Sequence, residues 1–154
     1  MSYHLSLLGR PALMRGSETV ETLSGLWLGA AKIKLSQTEA AVRSLKAALS
    51  ASEKAQTYTR RDFIYAYLAS AYLQAGRSGQ AQQTIAKGLA LAEKLGYKEG
   101  YALCTEMQGR IAAARGARGQ AREHFTDALE RFESLSIVGG SARCRAHLDA
   151  LDRP

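Results

Sequence analysis

The sequence predicts an all-α fold, a right-handed α-solenoid of stacked helix-turn-helix repeats. Three observations lead there. The same residue characters return every forty positions, the apolar positions inside each interval step by three and four, and glycines punctuate at matching places. Gly29, Ala69 and Gly109 share a register, as do Ala41, Ala81 and Ala121, then Leu45, Ile85 and Phe125, then Leu49, Leu89 and Leu129. Residues 76–102 and 116–142 align without a gap at nine identical positions. Composition alone would give roughly two in such a window.

Taken in order, the first nineteen residues read as a half-repeat or capping segment. Slid by forty, Leu5 falls on Leu45 and Leu8 on Ala48, the pattern of a lone helix, although Pro11 would kink or break it. The alternative is two short strands, His4 to Leu8 and Ala12 to Arg15, turning at Gly9-Arg10-Pro11. The repeat region spans 20–151, with units at about 20–58, 59–98 and 99–138 and a capping helix at 140–151.

Each unit reads as an A helix and a B helix. Ile64, Tyr65, Leu68, Ala69 and Tyr72 form one face of an A helix, and Ala41, Leu45, Ala48, Leu49 and Ser52 one face of a B helix. Expected helices are 19–35, 38–55, 59–75, 79–95, 99–115, 119–135 and 140–151. Ser17, followed by Glu18 and Glu21, reads as the start of the first A helix, its acids set against the N-terminal dipole. Gly76 and Gly116 stand where a helix ends in a left-handed cap. Ser36-Gln37-Thr38-Glu39 has the S-x-x-E spacing of a capping box. Small residues at Gly29, Ala69 and Gly109 admit the large Leu45, Ile85 and Phe125 of the partner helix. A two-helix unit cannot bury both faces alone, so successive units must stack.

Composition excludes several classes. A hydrophobic share of 46% with 23% charged residues is that of a folded globular chain, which rules out wholesale disorder. Two cysteines cannot make a disulfide scaffold, and free thiols at Cys104 and Cys144 fit a cytoplasmic setting. Lys32 and Lys34 interrupt the longest apolar stretch, so no bilayer span or membrane insertion is expected, and the first residues lack a secretory pattern. The net charge of +7 favours acidic partners without announcing nucleic acid.

These residues resemble the tetratricopeptide repeat, in its long forty-residue form. The resemblance rests on Tyr65, Leu68-Ala69, Tyr72, Ala81, Ile85 and Gly88 in the second unit, and on Gly109, Ala112, Ala121, Phe125 and Ala128 in the third. In the first it rests on Leu28-Gly29, Ala41, Leu45 and Ala48, with Lys32 in place of the usual Tyr. Long units of this kind are similar to those of MalT-like transcription regulators and bacterial signalling ATPases, although no G-x-x-x-x-G-K-[ST] occurs here. The resemblance implies a non-enzymatic scaffold whose A helices line a concave groove for a partner helix, a peptide or a sister protomer. The alternative it implies is a sensory or regulatory module of such a regulator or ATPase, binding a small effector.

By register the concave face carries Leu23, Leu26, Trp27, Ala30, Ile33 and Lys34, then Phe63, Ala66, Tyr67, Ser70, Leu73 and Gln74. Leu103, Glu106, Met107, Arg110 and Ala114 follow, then Arg143, Ala146 and His147. The wall is apolar with a polar end at Arg110, Arg143 and His147. The partner-binding candidates are Trp27, Lys34, Phe63, Tyr67, Ser70, Gln74, Leu103, Glu106, Met107, Arg110, Arg143 and His147. The Lys and Asn pairs with which some relatives grip a terminal carboxylate are missing, since Leu26, Ala30, Ala66 and Ser70 stand there.

Cys104 and Cys144 share a register with Ile64, which marks them as packing residues rather than a redox pair. His4, His124 and His147 lie on separate elements with no metal-ligand spacing, so no metal and no cofactor are expected. No nucleophile elbow, catalytic triad order or paired inward carboxylates occur, and an enzyme is not expected. The arginines at 110, 115, 118, 122, 131, 143 and 145 make the C-terminal third basic, but no aromatic residues interleave them, so nucleic acid is not an expected partner.

Overall fold

The computed structural model describes residues 5–153, with side chains from Thr19 onward. Among the described residues it is all-helical: α1 (Leu5–Lys34), α2 (Thr38–Lys54), α3 (Arg61–Gln74), α4 (Ser78–Leu95), α5 (Lys98–Ala114), α6 (Arg118–Ser134) and α7 (Val138–Asp152). From α2 to α7 the boundaries fall within two residues of those the periodicity predicts. Each helix packs on the one before it and the one after, and α3 also touches α1 and α5.

The N-terminal segment departs from expectation. The backbone is helical from Leu5 without interruption to Lys34, so neither the pair of short strands nor a helix start at Ser17 is present. The side chains of the half-repeat register and of the Ser17–Glu18 cap, together with His4, lie outside the described residues.

The turns repeat as faithfully as the helices. Residues with positive φ stand at Ser36, Gly76 and Gly116 after the A helices, and at Gln56, Gly96 and Ser136 after the B helices. After each, the next amide bonds to the carbonyl five residues back: Gln37 to Lys32, Arg77 to Tyr72 and Ala117 to Ala112, then Thr57 to Ser52, Tyr97 to Ala92 and Ile137 to Phe132. This is the Schellman closure, which satisfies carbonyls that a helix end leaves free. It also corrects the capping box. Ser36, at φ 57, is the left-handed residue closing α1, and Gln37 precedes α2 with no side-chain cap. Ser36 does the work of Gly76 and Gly116, which draws it away from the amides of α2.

Packing follows small against large. A Cβ placed on Gly29 would stand 2.4 Å from Cγ of Leu45, and one on Gly109 would stand 2.6 Å from the Phe125 ring. Both Ala69 and Ile85, at the same register, are fully buried. Helices α3 and α5 sit between neighbours on both flanks, so nine residues of each are buried, against four each in α4 and α6. The main core joins Leu26, Leu45, Ile64, Leu68, Ile85 and Ile111, each contributing about 1.5–3 kcal/mol by leaving water. Phe132 with Cys144, and Phe125 with Ala112 and Ala121, extend it toward the C-terminus. No helix among the described residues is long and apolar enough to cross a membrane.

Candidate functional site

The odd-numbered helices meet around a cavity of about 470 Å³. Ala30, Ile33 and Lys34 come from α1, and Ala66, Tyr67 and Ser70 from α3. Leu103, Glu106, Met107 and Arg110 come from α5, and Arg143, Ala146 and His147 from α7. One or two turns of each helix therefore face a shared space, because the forty-residue register returns the same helical phase.

Nine of the candidate residues line this cavity: Lys34, Tyr67, Ser70, Leu103, Glu106, Met107, Arg110, Arg143 and His147. Three do not. Trp27 is 54% exposed and lies outside the lining. Phe63 is buried beneath the guanidinium of Arg60, 4.5 Å from its ring centroid. Gln74, at the end of α3, accepts from Thr38 Oγ1 at 3.0 Å and donates to the Ile33 carbonyl at 3.3 Å. Its amide ties three helices together rather than facing the cavity.

The floor of the cavity is charged. Glu106 has a side chain only 5% exposed, and Arg143 grips it twice, Nε donating to Oε1 at 2.9 Å and Nη2 to Oε2 at 2.8 Å. His147 Nε2 stands 3.8 Å from Oε1, its ring stacked on Phe125 at 4.6 Å. Burial works against the charged carboxylate, but His147 and Arg143 more than offset it and hold Glu106 below its ordinary value. Arg110 donates from Nη1 to Ser70 Oγ at 3.1 Å, with Met107 Sδ at 3.6 Å. Burial lowers its pKa while Glu106 pulls it back up, and a guanidinium stays charged regardless. Lys34 makes no hydrogen bond or ion pair with any described residue, so the lining keeps a free ammonium.

The sequence placed all thirteen lining residues on one face, together with seven that do not line the cavity, and missed what Glu106 does there. Its clamp comes from a side chain 37 residues away, three short of the forty-residue register, so the periodicity does not pair the two: Glu106 matches Ala146, and Arg143 matches Leu103.

A second feature was not foreseen. Asp62, at the start of α3, is 2% exposed, and its Oδ1 has no hydrogen-bond partner. It presses against Gly100 in the first turn of α5, where any Cβ would collide with its carboxylate. It also lines a cavity of about 530 Å³ with Phe63, Tyr97 and Glu99. Burial raises its pKa, only partly countered by the backbone amides of Phe63 and Asp62 and by Arg60.

Both cysteines are free and fully buried, and burial pushes both thiols up to about 12. Most of the basic C-terminal residues are engaged within the chain. Arg118 bonds the Leu151 and Arg153 carbonyls, Arg122 pairs with Asp152, Arg145 with Glu133, and Arg131 with Asp127 while lying over Tyr101. No group of three or more acidic, His or Cys side chains able to hold a metal ion occurs among the described residues. Neither protein-family models nor curated proteins give a match to this sequence.

Proposed function

We propose that this chain is an α-solenoid of the tetratricopeptide-repeat type, acting as a non-enzymatic scaffold whose odd-helix cavity holds a segment of a protein partner. One observation carries the reading: residues forty apart share the cavity. Ala66, Glu106 and Ala146 are one such set, Tyr67, Met107 and His147 another, and Ala30, Ser70 and Arg110 a third. A wall built from equivalent positions of successive units offers repeated contacts along one line, which suits a helix or an extended strand.

The chemistry narrows the partner. Tyr67, Met107 and Leu103 supply apolar contact, while Lys34 and Arg110 carry charge that Glu106, already held by Arg143, does not neutralise. A segment with apolar residues and a carboxylate fits this lining best. A peptide selection against the whole chain tests it. Selected sequences should be apolar and acidic, and Tyr67→Ser or Arg110→Ala should each weaken them by ~10-fold or more. Binders indifferent to both substitutions would overturn the proposal.

A second reading has its own support. A cavity of about 470 Å³ with a buried charged floor lies within the size range of small-molecule sites. A sensory module taking a small organic acid would show a concentration-dependent rise in melting temperature with that acid, abolished by Arg110→Ala. The same acid displacing no selected peptide would exclude it.

A further inference from the structure

Of the seven large apolar side chains exposed among the described residues, three stand on one flank of α1, Val20 at 62%, Trp27 at 54% and Leu28 at 51%, and a fourth, Leu35 at 68%, directly follows the helix. In the later odd helices the equivalent flank is closed by the preceding helix. Ser24 and Ala31 are exposed, whereas Ile64, Cys104 and Cys144, at the register of Ser24, are fully buried, as are Ala71 and Ile111, at that of Ala31. The uncovered flank of α1 is thus the surface by which one unit joins the next.

The opposite end of the array differs. The α7 positions that in α1, α3 and α5 receive the following helix carry Arg145, Asp149 and Asp152, all exposed. Head-to-tail stacking would set these charges against an apolar flank, so the two ends do not complement each other.

The flank does complement itself. Its residues are symmetric about a point between Trp27 and Leu28. In an antiparallel pair of α1 helices related by a two-fold axis there, Trp27 lies level with the partner's Leu28. Ser24 falls level with the partner's Ala31, and Val20 with the partner's Leu35, over about 22 Å of helix. At each end of this uncharged seam, Glu21 of one copy stands level with Lys34 of the other. Large residues meet at the centre of the seam, small Ser24 and Ala31 flank them, and Val20 and Leu35 close its ends.

We infer that the chain forms a two-fold dimer through this flank of α1, with Lys34, which also lines the odd-helix cavity, at each end of the seam. Trp27, the single tryptophan of the chain, is then buried against the partner.

Sedimentation of the full chain across a micromolar dilution series, with Trp27 fluorescence read in parallel, tests the inference. A dimer is expected, its emission shifting to the red as it dissociates. Trp27→Lys and Leu28→Lys should each weaken association by ~100-fold with helix content unchanged by circular dichroism. In an oxidised mixture of Ser24→Cys and Ala31→Cys chains, disulfides should join unlike copies preferentially. Should a lysine variant lose helix content, this mixture decides alone. A monomer throughout, or a dimer indifferent to both lysines, overturns the inference, the first leaving the flank to another protein and the second placing the dimer on another face.

Discussion

Arg143 on α7 and Glu106 on α5 form a two-pronged pair at 2.8 and 2.9 Å, with the carboxylate nearly sealed from solvent and the guanidinium half exposed. This is the side-chain tie between the last helix and the unit before it that also shapes the cavity floor. Removing Arg143 would leave a buried carboxylate without its main partner. Arg143→Ala is expected to destabilise the fold by about 2 kcal/mol, less than for a fully buried pair because Arg143 is itself exposed to screening. Glu106→Gln in the same chain should recover part of that loss. Urea denaturation of the natural chain, the two single variants and the double variant gives the coupling directly.

The same pair sets an acid limit. Because the folded pKa of Glu106 lies below its ordinary 4.5, its stabilising contribution is present above pH 4.5 and lost as pH falls through the folded value. Midpoints measured from pH 6 downward should therefore fall less steeply for Glu106→Gln than for the natural sequence. Parallel curves would remove Glu106 from the acid transition.

Asp62 carries the opposite sign. Its folded pKa is raised, so it contributes no penalty at low pH and an increasing one as pH climbs from its ordinary 3.8 to the folded value. Asp62→Asn keeps an acceptor for the Phe63 amide and removes the charge. It should stabilise the protein at pH 7 by on the order of 1 kcal/mol and do little at pH 3, as thermal melts at the two pH values will show.

Glycines divide by surroundings. Gly109→Ala drives a methyl group into the Phe125 ring and should cost about 1–3 kcal/mol. Gly119→Ala, in the first turn of α6 with nothing within 4 Å, should instead stabilise by about 0.5 kcal/mol. Chemical denaturation of both separates a packing glycine from a merely permissive one.

Arg61 anchors the turn between the first two units. Its Nε donates to Ser52 Oγ at 2.6 Å, its Nη2 reaches the Ser52 and Thr57 carbonyls, and its guanidinium lies over Tyr58. Lysine cannot reproduce that fork, so Arg61→Lys should destabilise by about 1–2 kcal/mol. Hydrogen exchange should locate the loss at residues 52–61.

What the sequence determined by itself was everything that depends on phase along a helix. A forty-residue period fixes where the helices after the first start and stop, which small residue meets which large one, and the face from which all thirteen lining side chains come. These follow from local geometry repeated without slippage. Contacts between units were decided only by the tertiary structure. Glu106 reads as one more wall residue until α7 brings Arg143 and His147 to it, and Asp62 occupies a position where Thr22 and Ala102 give no hint of a buried acid. Ser36 looked like a helix cap because its spacing to Glu39 is right, but the path of the chain out of α1 claimed it first. Trp27 has the same register as Tyr67 and Met107 yet remains in solvent, since periodicity gives each residue a direction while burial depends on whether a neighbour stands there.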